Sequence, residues 1–134
     1  VVAVARERLK LEEMLAGGDY PQGLASLVAE PTVPVPEEIL DRARATFTAY
    51  RAAMIGLQGD PFEGTLPRDP DFLAWTLSAI APLPLAERQS LLEADDAVER
   101  LELVTRLLRE ELRAINAIPS LPATQVARTA WSPN

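Results

Sequence analysis

The chain has 134 residues, of which 48% are hydrophobic and 25% charged, a composition typical of one globular domain and not of a disordered chain. It contains no histidine and no cysteine, which excludes disulfides, thiolate nucleophiles, cysteine-based metal sites and a histidine general base. The formal net charge is −7 and no segment is a basic patch, so nucleic acids and anionic membrane surfaces are disfavoured as partners.

The start of the chain is predicted to form short β-strands, although helix propensity alone favours a helix over residues 6–16. Leu9 and Leu11 flank a lysine and would share one face of a strand, and the break in alternation between Val4 and Leu9 suggests a β-bulge. Residues 17–19, Gly-Gly-Asp, mark a turn. The second strand would contain Leu24, Leu27 and Val28.

The apolar residues 1–5 lack the basic region that precedes the apolar part of a secretory signal peptide. The sequence also has no apolar run of about 18 residues, the length that would indicate a transmembrane helix. With the absence of cysteine, this predicts a cytoplasmic location. Because position 1 is not methionine, we expect the sequence to begin inside a longer protein.

Residues 31–36 are predicted to be a linker, because prolines at alternate positions are incompatible with a helix or a central strand. Pro36, followed by two glutamates, is a favourable helix start, and Asp69-Pro70 is a second one, with the aspartate as N-cap. Pro82 ends the second helix. The apolar stripe of the first helix is Ile39, Ala43, Phe47, Tyr50 and Met54, and that of the second is Phe72, Leu73, Leu77 and Ile80.

A short third helix is predicted after Pro84, with its leucines facing inward (Leu85, Leu91 and Leu92). The final helix begins at a capping box of Asp96 and Glu99 and runs to about Asn116. Its apolar face is wide, which is typical of a helix that packs on more than one neighbour. That face consists of Val98, Leu101, Leu103, Val104, Leu107, Leu108, Leu112 and Ile115.

Strands followed by helices predict an α+β fold. The expected organisation is short strands over residues 1–30, a four-helix bundle with a long final helix over residues 31–118, and a flexible proline-rich tail over residues 119–134.

Residue types that carry catalysis are scarce. Lys10 is the only lysine, and no serine lies in a context that suggests a serine–lysine pair. No phosphate-binding Gly-x-x-x-x-Gly-Lys motif is present. The acids at residues 69–71 and 95–99 would suit a cation or an acid–base pair, but their positions at helix starts favour capping. We therefore predict no catalytic residue, no metal site and no cofactor.

Trp75 is the main candidate for a partner contact. It either packs at the rim of the core or anchors a partner, a role in which tryptophan is enriched. Tyr20, Phe62 and Leu66 complete the set of predicted partner-binding residues. Trp131 lies in the tail, either exposed or folded back on the domain.

Three consecutive motifs resemble the helical half of the substrate-binding domain of Lon proteases. A Pro-Leu segment ends a helix (residues 82–85), a polar-x-Gln-x-Leu-Leu-Glu segment follows (residues 87–93), and Asp-x-x-Glu-Arg-Leu opens a long helix (residues 96–101). Residues 1–31 look like late strands of the family's β-rich subdomain, although the family often has a glycine near Ala5 and an aromatic residue near Leu9. The resemblance covers residues 1–118 and is most specific over residues 69–112.

The resemblance implies a non-catalytic module that binds unfolded or tagged polypeptides, of the stand-alone bacterial type without ATPase and protease domains. The early strands of the β subdomain, which usually precede this point in the family, are absent from the sequence. The alternative is a structural domain that forms a homodimer through the wide face of the final helix. A weaker third hypothesis is a small molecule bound between the strands and the bundle, for which no convergent polar cluster is evident.

Overall fold

The computed structural model describes residues 7–57 and 59–117. Two antiparallel strands, β1 (Arg8–Leu15) and β2 (Gln22–Val28), precede four helices, α1 (Glu37–Leu57), α2 (Pro70–Ile80), α3 (Leu85–Glu93) and α4 (Ala97–Ala117). The predicted α+β fold with a long final helix is confirmed. The predicted break in strand alternation between Val4 and Leu9 and the predicted tail with Trp131 involve positions outside the described residues.

The two strands form a hairpin with an apolar face. Leu9 pairs with Leu27, Leu11 with Ala25, and Met14 with Gly23. The register shifts between Leu11 and Glu13, and this bulge returns Met14 to the face that carries the leucines, because side chains alternate along a strand. The leucines and Met14 on this face are more than half exposed: Leu9, Leu11, Met14 and Leu27.

The tight turn of the hairpin includes Gly17, whose φ of 101° favours glycine. In β2, a Cβ on residue 23 would lie 2.5 Å from Cδ1 of Leu11, which is in β1. Glycine at position 23 therefore lets the Leu11 side chain lie across the hairpin.

The hydrophobic core lies among the helices, where α4 packs against α1, α2 and α3. The predicted stripes of α1 and α4 are confirmed, since their central residues are buried: Ile39, Ala43, Phe47, Tyr50, Met54, Leu101, Val104, Leu107 and Leu108. On α2 and α3 the prediction is partly wrong. Leu73, Leu77 and Leu91 are buried, but Phe72, Leu85 and Leu92 are 64%, 81% and 44% exposed.

The acids at the helix starts act as caps. Oδ1 of Asp69 accepts a hydrogen bond from the Phe72 amide at 2.8 Å, and Oδ1 of Asp96 accepts one from the Glu99 amide at 2.9 Å. The Glu99 carboxylate accepts from the amide of Asp95, one residue earlier than in a standard capping box. Across residues 7–57 and 59–117, no group of three acids is arranged to hold a metal ion. None of the helices in this part of the chain is long and apolar enough to cross a membrane.

Candidate functional site

An open, largely apolar groove of about 370 Å³ lies between α2 and α3. Trp75 forms one wall together with small residues of α2, and the leucines of α3 form the other. Its lining residues are Trp75, Ser78, Ala79, Leu85, Arg88, Gln89, Leu91 and Leu92. A groove of this size and composition is suited to apolar side chains of a ligand.

The groove exists because α3 is short and its leucines are divided between two environments. Leu91 is buried and fixes α3 to the core, while Leu83 is buried in the preceding connection. Leu85 and Leu92 are left on the open side of α3, at 81% and 44% exposure. α3 therefore has exposed apolar side chains that do not pack in the helical bundle.

Arg100 supports the wall formed by Trp75. Its guanidinium is fully buried and its Cζ lies 3.6 Å from the centre of a Trp75 ring, a favourable cation–π geometry. It donates hydrogen bonds to the carbonyls of Leu91 at 3.0 Å and Ala94 at 2.9 Å, and to Oε1 of Glu30 at 2.6 Å. One side chain of α4 thus connects the end of α3, the segment after β2 and the groove.

Arg8 at the start of β1 reaches the same place from the hairpin. It donates to the carbonyl oxygens of Leu92 and Ala94, each at 2.9 Å, and forms an ion pair with Glu30 at 2.8 Å. Its Cζ lies 5.8 Å from a Trp75 ring centre. Glu30 is therefore shared by two arginines, and these polar contacts join the hairpin to the helices beside the groove.

A carboxyl group near this cluster has a perturbed pKa. Partial burial of Asp71 raises its pKa, and the neighbouring acids Asp69 and Glu30 raise it further, against the opposing effect of Arg100. Its Oδ1 has no hydrogen-bond partner among the described residues. The ionised form of Asp71 is thus less favoured here than in water.

The predicted partner-binding residues lie in three places. Trp75 lines the groove. Tyr20 is 68% exposed in the turn of the hairpin. Phe62 and Leu66 lie between α1 and α2 and pack against the core, where Phe62 meets Phe47 edge-to-face at 6.0 Å. The structure does not bring the four together, and their role in partner binding stays a prediction.

Three residues of the site were not predicted from the sequence. Leu85 and Leu92 were predicted to face inward, and Arg100 was read only as part of a motif. The sequence does indicate the burial of Arg100. It follows Ala97 by three positions and precedes Val104 by four, so the three residues lie on one face of the helix. A charged residue on that face implies a buried arginine with partners.

The chain matches a known protein family over most of its length. Residues 1–110 match the family model described as the ATP-dependent protease La (LON) substrate-binding domain. The match includes both strands, α2 and α3, and therefore the whole groove. A search of curated proteins gave no match.

Proposed function

Since the chain belongs to the LON substrate-binding domain family, we propose that it is a non-catalytic recognition module that binds unfolded or tagged polypeptides in the groove between α2 and α3. The observation that carries the proposal is the exposed apolar area of α3 directly beside Trp75. A cytoplasmic location and the stand-alone bacterial type are further parts of the proposal, supported by the resemblance of the helical motifs.

The affinity expected of such a groove is moderate. Complete burial of a leucine contributes about 1.5–3 kcal/mol, and only Leu85 and Leu92 have much exposed area to lose. Ordering a flexible peptide offsets part of this gain. We therefore expect dissociation constants between about 0.1 and 1 mM, which suits a site that accepts many sequences.

The groove also contains polar groups that a peptide backbone can use. Arg88 and Gln89 line it beside the leucines, and Arg88 is exposed. Nε2 of Gln89 donates to Glu93 at 2.8 Å, which leaves its carbonyl oxygen to accept from a peptide amide. We propose an extended peptide that places apolar side chains against Trp75 and a carbonyl or carboxylate near Arg88.

Removing the exposed leucines of α3 tests the groove. We expect the double variant Leu85→Gln, Leu92→Gln to bind a fluorescein-labelled unstructured peptide about tenfold or more weakly, which corresponds to about 1.4 kcal/mol of lost apolar contact. Fluorescence anisotropy titration of the complete protein measures the dissociation constant.

The matched control is the double variant Ile55→Gln, Leu57→Gln, which changes two exposed apolar residues of α1. Its affinity should stay within twofold of the wild type. Equal losses in both double variants would show that the effect is not specific to the groove. A wild-type affinity weaker than millimolar for a broad peptide set would reject polypeptide binding.

The alternative function is homodimerisation, and one observation favours a specific surface for it. The wide apolar face of α4 is already packed inside the bundle, since Leu101, Val104 and Leu108 are buried and Leu112 is half-buried. Apart from the groove, the hairpin has an exposed apolar face, formed by Leu9, Leu11, Met14 and Leu27. Light scattering over a concentration series measures the oligomeric state. A dimer that dissociates on the substitution Leu9→Gln supports dimerisation through the hairpin. A strict monomer at high concentration rules out homodimerisation.

A further inference from the structure

Arginines converge on a second pocket, of about 290 Å³, between α1 and α4. It is lined by Arg42, Glu102, Thr105, Arg106, Arg109 and Arg113. The full chain has 13 basic residues against 20 acidic ones, and four of the basic residues within the described part of the chain line this one pocket. The local charge is therefore opposite in sign to that of the whole molecule.

Three of these arginines have no close acidic partner within the described part of the chain. Arg42 forms an ion pair with Glu102 at 3.5 Å. Arg106, Arg109 and Arg113 are exposed and form no ion pair with residues 7–57 or 59–117. Glu102 and Glu110 lie four positions from Arg106 and attract it, but Arg109 repels both Arg106 and Arg113, because like charges three and four positions apart on a helix repel each other. An anion between them would remove that repulsion.

Thr105 provides an independent indication of a ligand. It lines the pocket and is 3% exposed, and its hydroxyl has no hydrogen-bond partner among the described residues. Buried polar side chains nearly always have a partner. The hydroxyl can donate to an anion that displaces the neighbouring long side chains.

We propose that this pocket binds a short acidic segment of a polypeptide. Arg106 and Arg113 are separated by about 10 Å along α4, given a rise of about 1.5 Å per residue. An extended peptide covers this distance in about three residues, since each advances it by about 3.3 Å. Three or four consecutive acidic residues therefore match the row of guanidinium groups, each of which binds carboxylate well.

A peptide fits better than a nucleic acid. Among residues 7–57 and 59–117, no aromatic side chain lines the pocket, so bases have nothing in this part of the chain to stack on. The net charge of −7 repels a long phosphate backbone beyond the few ångströms of the pocket. This site shares no lining residue with the groove between α2 and α3 and recognises charge instead of apolar surface, so it goes beyond the proposed function.

Anisotropy titrations of the complete protein with fluorescein-labelled tetraglutamate test the proposal. We expect saturable binding that weakens as sodium chloride is raised from about 0.05 to 0.5 M, because exposed ion pairs are screened by salt. Arg109→Glu and Arg113→Glu should each weaken binding at least about tenfold. Labelled tetraglutamine should not bind.

The matched control is Arg68→Glu, an exposed arginine outside the pocket whose reversal changes the net charge by the same amount. It should change the affinity less than twofold. Equal losses in Arg68→Glu and Arg109→Glu, or equal binding of tetraglutamine, would overturn the proposal. Binding of a single-stranded oligonucleotide but not of tetraglutamate would overturn it as well. Because tetraglutamate has no apolar side chain, its failure to bind would leave the groove of α2 and α3 untouched.

Discussion

Replacing Arg100 by methionine is expected to lower the free energy of unfolding by about 3–5 kcal/mol, the cost of breaking a buried charged network by removing one partner. The guanidinium is fully buried, and three hydrogen bonds of 2.6–3.0 Å tie it to Leu91, Ala94 and Glu30. Methionine fills similar space but leaves the Leu91 carbonyl without this donor, and it removes one of the two arginines that contact Ala94 and Glu30. Urea denaturation of both proteins measures the difference.

Two control variants separate burial from charge. Arg109→Met makes the same substitution at an exposed position of α4, and we expect a change within about 0.5 kcal/mol. Glu30→Gln should cost less than Arg100→Met, because the Glu30 side chain is 30% exposed and can be hydrated. A loss of stability in Arg100→Met no greater than that in Arg109→Met would contradict the role given to Arg100.

The second large effect is expected at Phe47, where alanine should lower the free energy of unfolding by about 3–5 kcal/mol. Phe47 is 2% exposed, and its ring lies 6.5 Å from Tyr50 and 6.0 Å from Phe62, measured between centroids. The substitution leaves a cavity between α1 and the segment that precedes α2. Chemical denaturation again gives the magnitude.

Phe62→Ala is the informative comparison for Phe47→Ala. Phe62 is half-buried and covers the Phe47 ring from the loop side, so its removal should destabilise the fold by less. If Phe62→Ala leaves stability unchanged and weakens peptide binding, Phe62 contacts a partner instead of covering the core. A cost for Phe62→Ala as large as that for Phe47→Ala would contradict the packing described.

Much of the fold is predictable from the sequence because local signals agree with one another. The spacing of Ile39, Ala43 and Phe47 requires a helix with one buried face, and Asp69 has a side chain that satisfies the free amide of Phe72. The hairpin is a harder case, since residues 8–15 have helix-favouring composition. There the glycine turn and strand alternation outweighed propensity, and the structure confirms two strands.

The groove was less predictable because it depends on tertiary packing. Periodicity shows which residues share a helix face, but not whether a neighbour covers that face. Leu91 and Leu92 are adjacent in sequence, yet one is buried and the other exposed, since only one can face the core at that point of α3. Arg100 shows the converse, because it is a charged residue that is buried. Its acceptors are the Glu30 carboxylate, which is distant in sequence, and two carbonyl groups at the end of α3.

If polypeptides bind beside Trp75, the fluorescence of this tryptophan reports on the binding directly. The chain has two tryptophans, so the substitution Trp131→Phe leaves Trp75 as the only one. Titration of this variant with an unstructured peptide free of tryptophan and tyrosine should shift the Trp75 emission to shorter wavelength as water leaves the groove, with the same midpoint as the anisotropy signal. Peptide binding with an unchanged Trp75 emission would contradict the account, and so would the absence of binding.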